Sequence, residues 1–107
     1  QPLSSFQLTQ AKLADMAAHA EFIRAMTHSV AWKFSQGEDV HVEAAMLKLV
    51  STRLAIQAAT EGYQLHGGYG FSTDYRINRL YREAQILAIG EGTNEIQQMI
   101  IARHLGC

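Results

Sequence analysis

Proline occurs once in this 107-residue chain, at Pro2, so no later position carries the ring that breaks a helix interior. The periodic stretches are interrupted instead at glycine-bearing segments: around Gly37, along Gly67-Gly68-Tyr69-Gly70, and at Gly90-Glu91-Gly92. Between these breaks apolar residues recur every three or four positions, the period of one helix face. Amphipathic helices joined by short turns are the economical solution. The expected fold is all-α, an up-and-down four-helix bundle occupying residues 1–107 as one domain.

The first helix is expected from about Ser5 to Phe34, with Leu13, Met16, Ala20, Ile23, Thr27 and Ala31 on its apolar side and Lys12, Asp15, His19 and Glu21 mostly on others. Ser35-Gln36-Gly37-Glu38-Asp39 ends it with a glycine suited to a left-handed cap, and so short a loop makes the next helix antiparallel. The second runs from about Val40 to Leu65 on Val42, Met46, Leu49, Ile56 and Tyr63, with Ala44, Ala45, Ala55, Ala58 and Ala59 allowing close approach. Arg53 falls at the edge of that stripe, where a long side chain reaches water. Ser72-Thr73-Asp74 reads as the start of a third helix holding Tyr75, Ile77, Leu80 and Tyr81. Its Arg76, Arg79 and Arg82 share a side, either as a strip for an anion or as a solvated, ion-paired face. The fourth helix is capped by Thr93 or Asn94 and buries Ile96, Met99 and Ile100, with Arg103-His104 at its favourable end.

Composition removes several functions. Nine basic and ten acidic residues give a formal charge of −1, and no basic run exists for nucleic acid or a membrane surface. No apolar stretch approaches the roughly 20 residues a bilayer span needs. A single cysteine, Cys107, excludes a disulfide framework and argues against a metal cluster.

Two breaks carry chemistry. At Gly90-Glu91-Gly92-Thr93 one carboxylate stands between two glycines, open to a ligand from either side, just before a helix start whose free N–H groups suit an anion or a polarised carbonyl. An acid in that place also serves the helix dipole, worth about 0.3–1 kcal/mol, and spacing alone does not separate the two uses. At Gln64-Leu65-His66-Gly67-Gly68-Tyr69-Gly70-Phe71 glycines end the second helix; the segment is either a plain turn or a loop that brings bare backbone to a phosphate or ribose. It has neither the strand nor the spacing of a dinucleotide fingerprint.

Glu91-Gly92-Thr93-Asn94-Glu95-Ile96-Gln97 with Ile101-Ala102-Arg103, the upstream Gln64 to Phe71, and the opening Pro2-Leu3-Ser4-Ser5-Phe6-Gln7-Leu8-Thr9-Gln10 with Leu13-Ala14-Asp15-Met16 together resemble the C-terminal domain of the acyl-CoA dehydrogenase family. The resemblance covers essentially the whole chain. It implies that the chain is a fragment of a longer flavoenzyme, beginning inside a family motif whose Arg-x-x-Phe-Gly would lie just before Gln1. It also implies an N-terminal helical domain and a central β domain elsewhere, so the fragment alone is expected to be inactive.

The implied reaction is FAD-dependent α,β-dehydrogenation of an acyl-CoA thioester to the trans-2-enoyl-CoA. Glu91 would take the α-proton while hydride leaves the β-carbon for the flavin, and the Glu91 backbone N–H would help hold the thioester oxygen. An apolar acyl chain laid beside Glu91 would disfavour its ionised form and strengthen it as a base. By the same resemblance Gly92 borders the substrate, Thr93, Asn94 and Glu95 contact FAD, and Gln10, Gln64, Leu65, His66, Gly67 and Gly68 contact the FAD of a neighbouring subunit. The implied partners are a second copy in a homodimer or homotetramer and an electron-transfer flavoprotein. The implied place is the cytoplasm in a bacterium or the mitochondrial matrix in a eukaryote. The alternatives are an acyl-CoA oxidase and, from another class, a non-catalytic helical oligomerisation module.

Overall fold

The computed structural model describes residues 1–107. It is all-helical: α1 (Gln7–Ser35), α2 (His41–His66), α3 (Arg76–Leu87) and α4 (Asn94–His104), with short 3₁₀ turns at Leu3–Ser5 and Gly67–Phe71. The expected boundaries of α1 and α2 hold to within two residues. α3 starts later than the sequence suggests, because Tyr75 is extended (φ −103°, ψ 132°) and stands just outside it. Ser72 and Asp74 instead form a small turn in which the Asp74 N–H donates to Ser72 Oγ at 3.2 Å.

α2 is the central rod. Gly37 (φ +82°) turns the chain after α1, and Asp39 Oδ1 accepts the His41 N–H at 3.0 Å to start α2 in the opposite direction. Ion pairs mark both ends of the α1–α2 seam, Lys12–Glu61 at 3.0 Å and Lys33–Glu43 at 4.0 Å; half-exposed, each adds only about 0–1 kcal/mol. The seam itself is Lys12, Met16, His19, Ile23, Met26, Val30 and Lys33, a strict alternation of three- and four-residue steps. This corrects the expected face: Met16 and Ile23 lie on it, whereas Leu13 is 42% exposed and Ala20, Thr27 and Ala31 face outward. α1 is apolar on more than one side, and packing against a single neighbour selects one stripe among several.

The opposite flank of α2 is covered by α3 and α4 together. α3 lies along the C-terminal half, where a Cβ on Gly62 would sit 2.8 Å from Ile77 Cδ1 and the Tyr63 and Tyr81 rings are 4.7 Å apart. α4 lies along the N-terminal half, where Asn94 meets Thr52 and Ile100 approaches Val42. The two short helices therefore run end to end, antiparallel to α2, like one rod broken at residues 88–93. The assembly measures 51 × 26 × 24 Å.

Only eight residues are buried, and four of them are polar: Thr52, Asn78, Asn94 and Gln97. The expected apolar face of α4 is corrected accordingly: Ile96 and Met99 are half exposed, Ile100 is intermediate, and Asn94 and Gln97 turn inward. The buried polar residues thus gather at the two interruptions.

Candidate active site

The break between α3 and α4 is built by capping at both ends. Ile86 C=O accepts from the N–H groups of Ile89 (3.0 Å) and Gly90 (2.8 Å), closing α3, and Ala88 C=O accepts from Asn94 N–H at 2.9 Å. Thr93, extended at φ −62°, ψ 161°, caps α4 by accepting the Ile96 N–H at 3.3 Å. Between these caps the chain reverses through two consecutive left-handed residues, Glu91 (φ +59°) and Gly92 (φ +89°). Gly92 takes this conformation freely. Glu91 is the only non-glycine residue of the chain to do so, a local cost of about 1–2 kcal/mol for an L-residue. Strain of that kind persists where neighbouring contacts over-determine it, and here they do.

Lys48 Nζ on α2 donates to Gly92 C=O at 2.7 Å and to Asn94 Oδ1 at 3.1 Å. Asn94 Nδ2 donates to Thr52 Oγ1 at 3.0 Å, and Gln97 Nε2 makes a longer contact of 3.4 Å to the same Gly92 oxygen. The buried polar groups thus face inward and hold the loop. Outward, Glu91 and Gly92 are exposed, and the N–H groups of Glu91, Gly92 and Thr93 have no acceptor within the chain. A carboxylate and three N–H groups without an acceptor in the chain therefore stand on consecutive residues, 91–93, at the edge of the loop. Such an edge can take a proton and stabilise negative charge on an oxygen beside it.

The second break has a different build. Gly67 (φ 60°, ψ −142°) ends α2, and a 3₁₀ turn follows. Asn78 on α3 supports it from beneath, donating through Nδ2 to Gly70 C=O (3.1 Å) and Phe71 C=O (3.2 Å) while its Oδ1 accepts from Arg82 Nε at 3.2 Å. Gly70 is buried, and a Cβ on it would stand only 3.1 Å from Tyr63 C=O. Gly67 and Gly68 are exposed, and nothing lies within 4 Å of where their Cβ atoms would stand. His66 Nδ1 sits 2.7 Å from Gly62 C=O, and Gln64 is exposed beside it while Leu65 is half-buried.

The structure brings the sequence-predicted residues into two groups. Glu91, Gly92, Thr93, Asn94 and Glu95 form one. Gln64, Leu65, His66, Gly67 and Gly68 form the other, separated from it by the whole of α3, about 18 Å at 1.5 Å per residue. Gln10 belongs to the second end of the molecule, where α1 begins beside the end of α2; its Nε2 donates to Ser4 C=O at 2.9 Å. Asn94 is buried, and its amide bonds to Lys48 and Thr52. Arg79 pairs with Glu83 at 3.8 Å and Arg82 with Asn78, so the arginines of α3 read as an ion-paired, hydrogen-bonded face.

Sequence reasoning missed Lys48, Thr52 and Asn78. The signal was present: Lys48 and Thr52 stand four apart within the apolar side of α2, between Ala45 and Ile56, and Asn78 lies beside Ile77 in α3. A polar residue inside an apolar stripe is a buried group seeking a partner.

Residues 1–106 match the family model described as acyl-CoA dehydrogenase, C-terminal domain. The chain belongs to the acyl-CoA dehydrogenase family. A 3-(aryl)acrylate reductase of Clostridium sporogenes is 42% identical over 97% of this chain and 28% of its own length. An acyl-CoA dehydrogenase of Bacillus subtilis is 40% identical over 97% of this chain and 27% of its own. The three-dimensional structure of butyryl-CoA dehydrogenase from Megasphaera elsdenii superposes with a TM-score of 0.95 at 39% identity, covering 100% of this chain and 28% of that one. The chain thus spans a little over a quarter of the length of these relatives. Within acyl-CoA dehydrogenases it corresponds to the C-terminal helical domain. No helix is long and apolar enough to cross a membrane.

Proposed function

We propose that this chain is the C-terminal part of an FAD-dependent acyl-CoA dehydrogenase and supplies its catalytic base, Glu91. The observation that carries this reading is the α3–α4 break: an exposed carboxylate held in a left-handed conformation beside three backbone N–H groups that nothing in the chain uses. A proton next to a thioester carbonyl is weakly acidic, and its removal is eased by a base at the carbon and donors at the oxygen. Glu91 takes the α-proton as its carboxylate becomes a carboxylic acid. The Glu91 N–H donates to the thioester oxygen. The Cβ–H bond breaks with its electron pair leaving, and the Cα–Cβ double bond forms. Gly92 borders the acyl group.

The bare backbone of Gly67 and Gly68, open to 4 Å around each missing Cβ, fits the close approach of a dinucleotide. Gln64, Leu65, His66 and Gln10 flank it, while Thr93, Asn94 and Glu95 are the candidates at the other break. Bound to the full protein, FAD supplies the acceptor for the β-hydrogen. The separation of the two groups by the length of α3 favours their serving different FAD molecules, hence a homodimer or homotetramer in which each copy completes its neighbour's site. An electron-transfer flavoprotein is the proposed electron partner; an oxidase would pass electrons to oxygen from the same domain. The protonated Glu91 also suits the reverse reaction, the direction named for the Clostridium relative.

The test is rapid anaerobic mixing of the full-length protein with acyl-CoAs of graded chain length while following flavin absorbance. Fast bleaching should fall by about 10²–10⁴-fold in Glu91→Gln with flavin retained, the usual range for losing a general base. Equal bleaching in the variant would place the base elsewhere, and absence of flavin would favour an assembly module.

A further inference from the structure

We infer that Lys48 is a positioning residue for the base, one that sets the direction of the Glu91 loop from α2 without touching substrate. This rests on the reading of Glu91 given above. Lys48 lies 44 positions before Gly92 in the chain, yet its ammonium makes the shortest contact to the loop, 2.7 Å to Gly92 C=O. That carbonyl is the pivot of the reversal. It belongs to the residue after Glu91, and its orientation defines the second of the two left-handed turns.

Three features make Lys48 the controlling group. It is the only charged side chain bonded to the loop, and charge-assisted hydrogen bonds are about twice as strong as neutral ones. It bridges two loop positions, Gly92 and Asn94, so it fixes their relative placement. The second donor to Gly92 C=O, Gln97 Nε2 at 3.4 Å, is too long to hold the carbonyl alone. Thr52 shares its attachment only through Asn94. With Lys48 removed, the strained Glu91 has a lower-energy route out of the left-handed region, and both its carboxylate and its free N–H lose their fixed placement. Misplacement by about 1 Å suffices for a large loss of rate in an oriented reaction.

The experiment compares the parent full-length protein with Lys48→Met and Glu91→Gln, each loaded with flavin. Two quantities are read: the rate of flavin reduction per bound flavin at saturating acyl-CoA, and exchange of the Gly90 and Asn94 amides, the two hydrogen-bonded N–H groups of the loop, followed by residue-resolved mass spectrometry. Lys48→Met should lower the rate at least tenfold with KM within threefold of the parent, and exchange of those two bonded amides should rise at least tenfold while α1 is unchanged. A purely structural role would lower flavin content or the melting temperature and leave the rate per bound flavin intact; that result overturns the proposal. If Lys48→Met stays within twofold of the parent rate while Glu91→Gln is inactive, Lys48 is not the positioning group and the base assignment stands. If Glu91→Gln remains active, the base reading itself fails, and the amide exchange then decides alone whether Lys48 holds the loop. Should Lys48→Met not accumulate as flavin-loaded protein, Lys48→Gln, which keeps one donor and loses the charge, is read against the same limits.

Discussion

The two interruptions of the helical rods solve opposite problems with similar residues. At the α2–α3 break the glycines themselves carry the unusual backbone, and Gly67 and Gly68 leave an open surface with nothing of this chain above them. At the α3–α4 break a glutamate carries part of the strain, and a half-buried lysine, a threonine and two buried amides tie the loop down from beneath. One break is left open around its glycines; the other is braced through Gly92 and Asn94. Each rests on buried polar side chains: Asn78 of α3 in the first case, and Asn94 of α4 bonded to Thr52 of α2 in the second. A helix interrupted only as a hinge requires neither.

Substitution of the glycines separates these two designs. The largest effect on stability is expected for Gly92→Ala, which forces a Cβ to 2.9 Å from Gln97 Nε2 at φ +89°. Strain of about 1–2 kcal/mol plus displacement of the Gln97 amide should lower stability by roughly 2 kcal/mol, measured as a shift in urea midpoint. A loss below about 0.5 kcal/mol would mean the loop is not braced as described. Gly68→Ala should behave in the contrary way. With no atom within 4 Å of the new methyl and no left-handed φ, stability should stay within about 0.5 kcal/mol of the parent. Flavin affinity of the full protein should nevertheless fall about tenfold, equal to about 1.4 kcal/mol, by equilibrium titration. Unchanged affinity would remove Gly68 from the cofactor surface.

The smallest effect sharpens the contrast most. Glu91→Gly relieves the one strained non-glycine residue and should raise the thermal midpoint slightly, by the equivalent of about 0.5 kcal/mol, while abolishing proton abstraction. A protein that becomes more stable as it becomes inactive marks a position kept for chemistry. A fall in stability would instead show that the Glu91 side chain supports the fold, and the distinction between the two breaks would narrow.

Much of this was legible in the residue order. Helices α1 and α2 followed from periodicity and the absence of proline, and the turn at Gly37 from a glycine after the last apolar step. The break at Gly90-Glu91-Gly92 followed from glycines bracketing one acid, and a cap at Thr93 or Asn94 from polar residues ahead of an apolar run, of which the structure uses Thr93. The start of α3 was less legible, because Ser72, Thr73 and Asp74 form caps and small turns equally well, and here they form the turn. The seam of α1 was not legible either. A helix carrying apolar residues on several sides, Phe22 at 77% and Trp32 at 63% exposed among them, offers more than one stripe to a single neighbour.

Local sequence, then, determined where this chain is helical, where it must break, and which carboxylate stands at the break, since each depends on backbone freedom and side-chain period over a few residues. Tertiary structure decided what the breaks rest on. Lys48 and Gly92, or Thr52 and Asn94, are more than 40 positions apart, and only the antiparallel packing of α2 against the α3–α4 rod brings them within hydrogen-bonding distance. The left-handed Glu91 is likewise a product of that packing. No local preference places an L-residue there, and the bonds that hold its neighbour come from another helix.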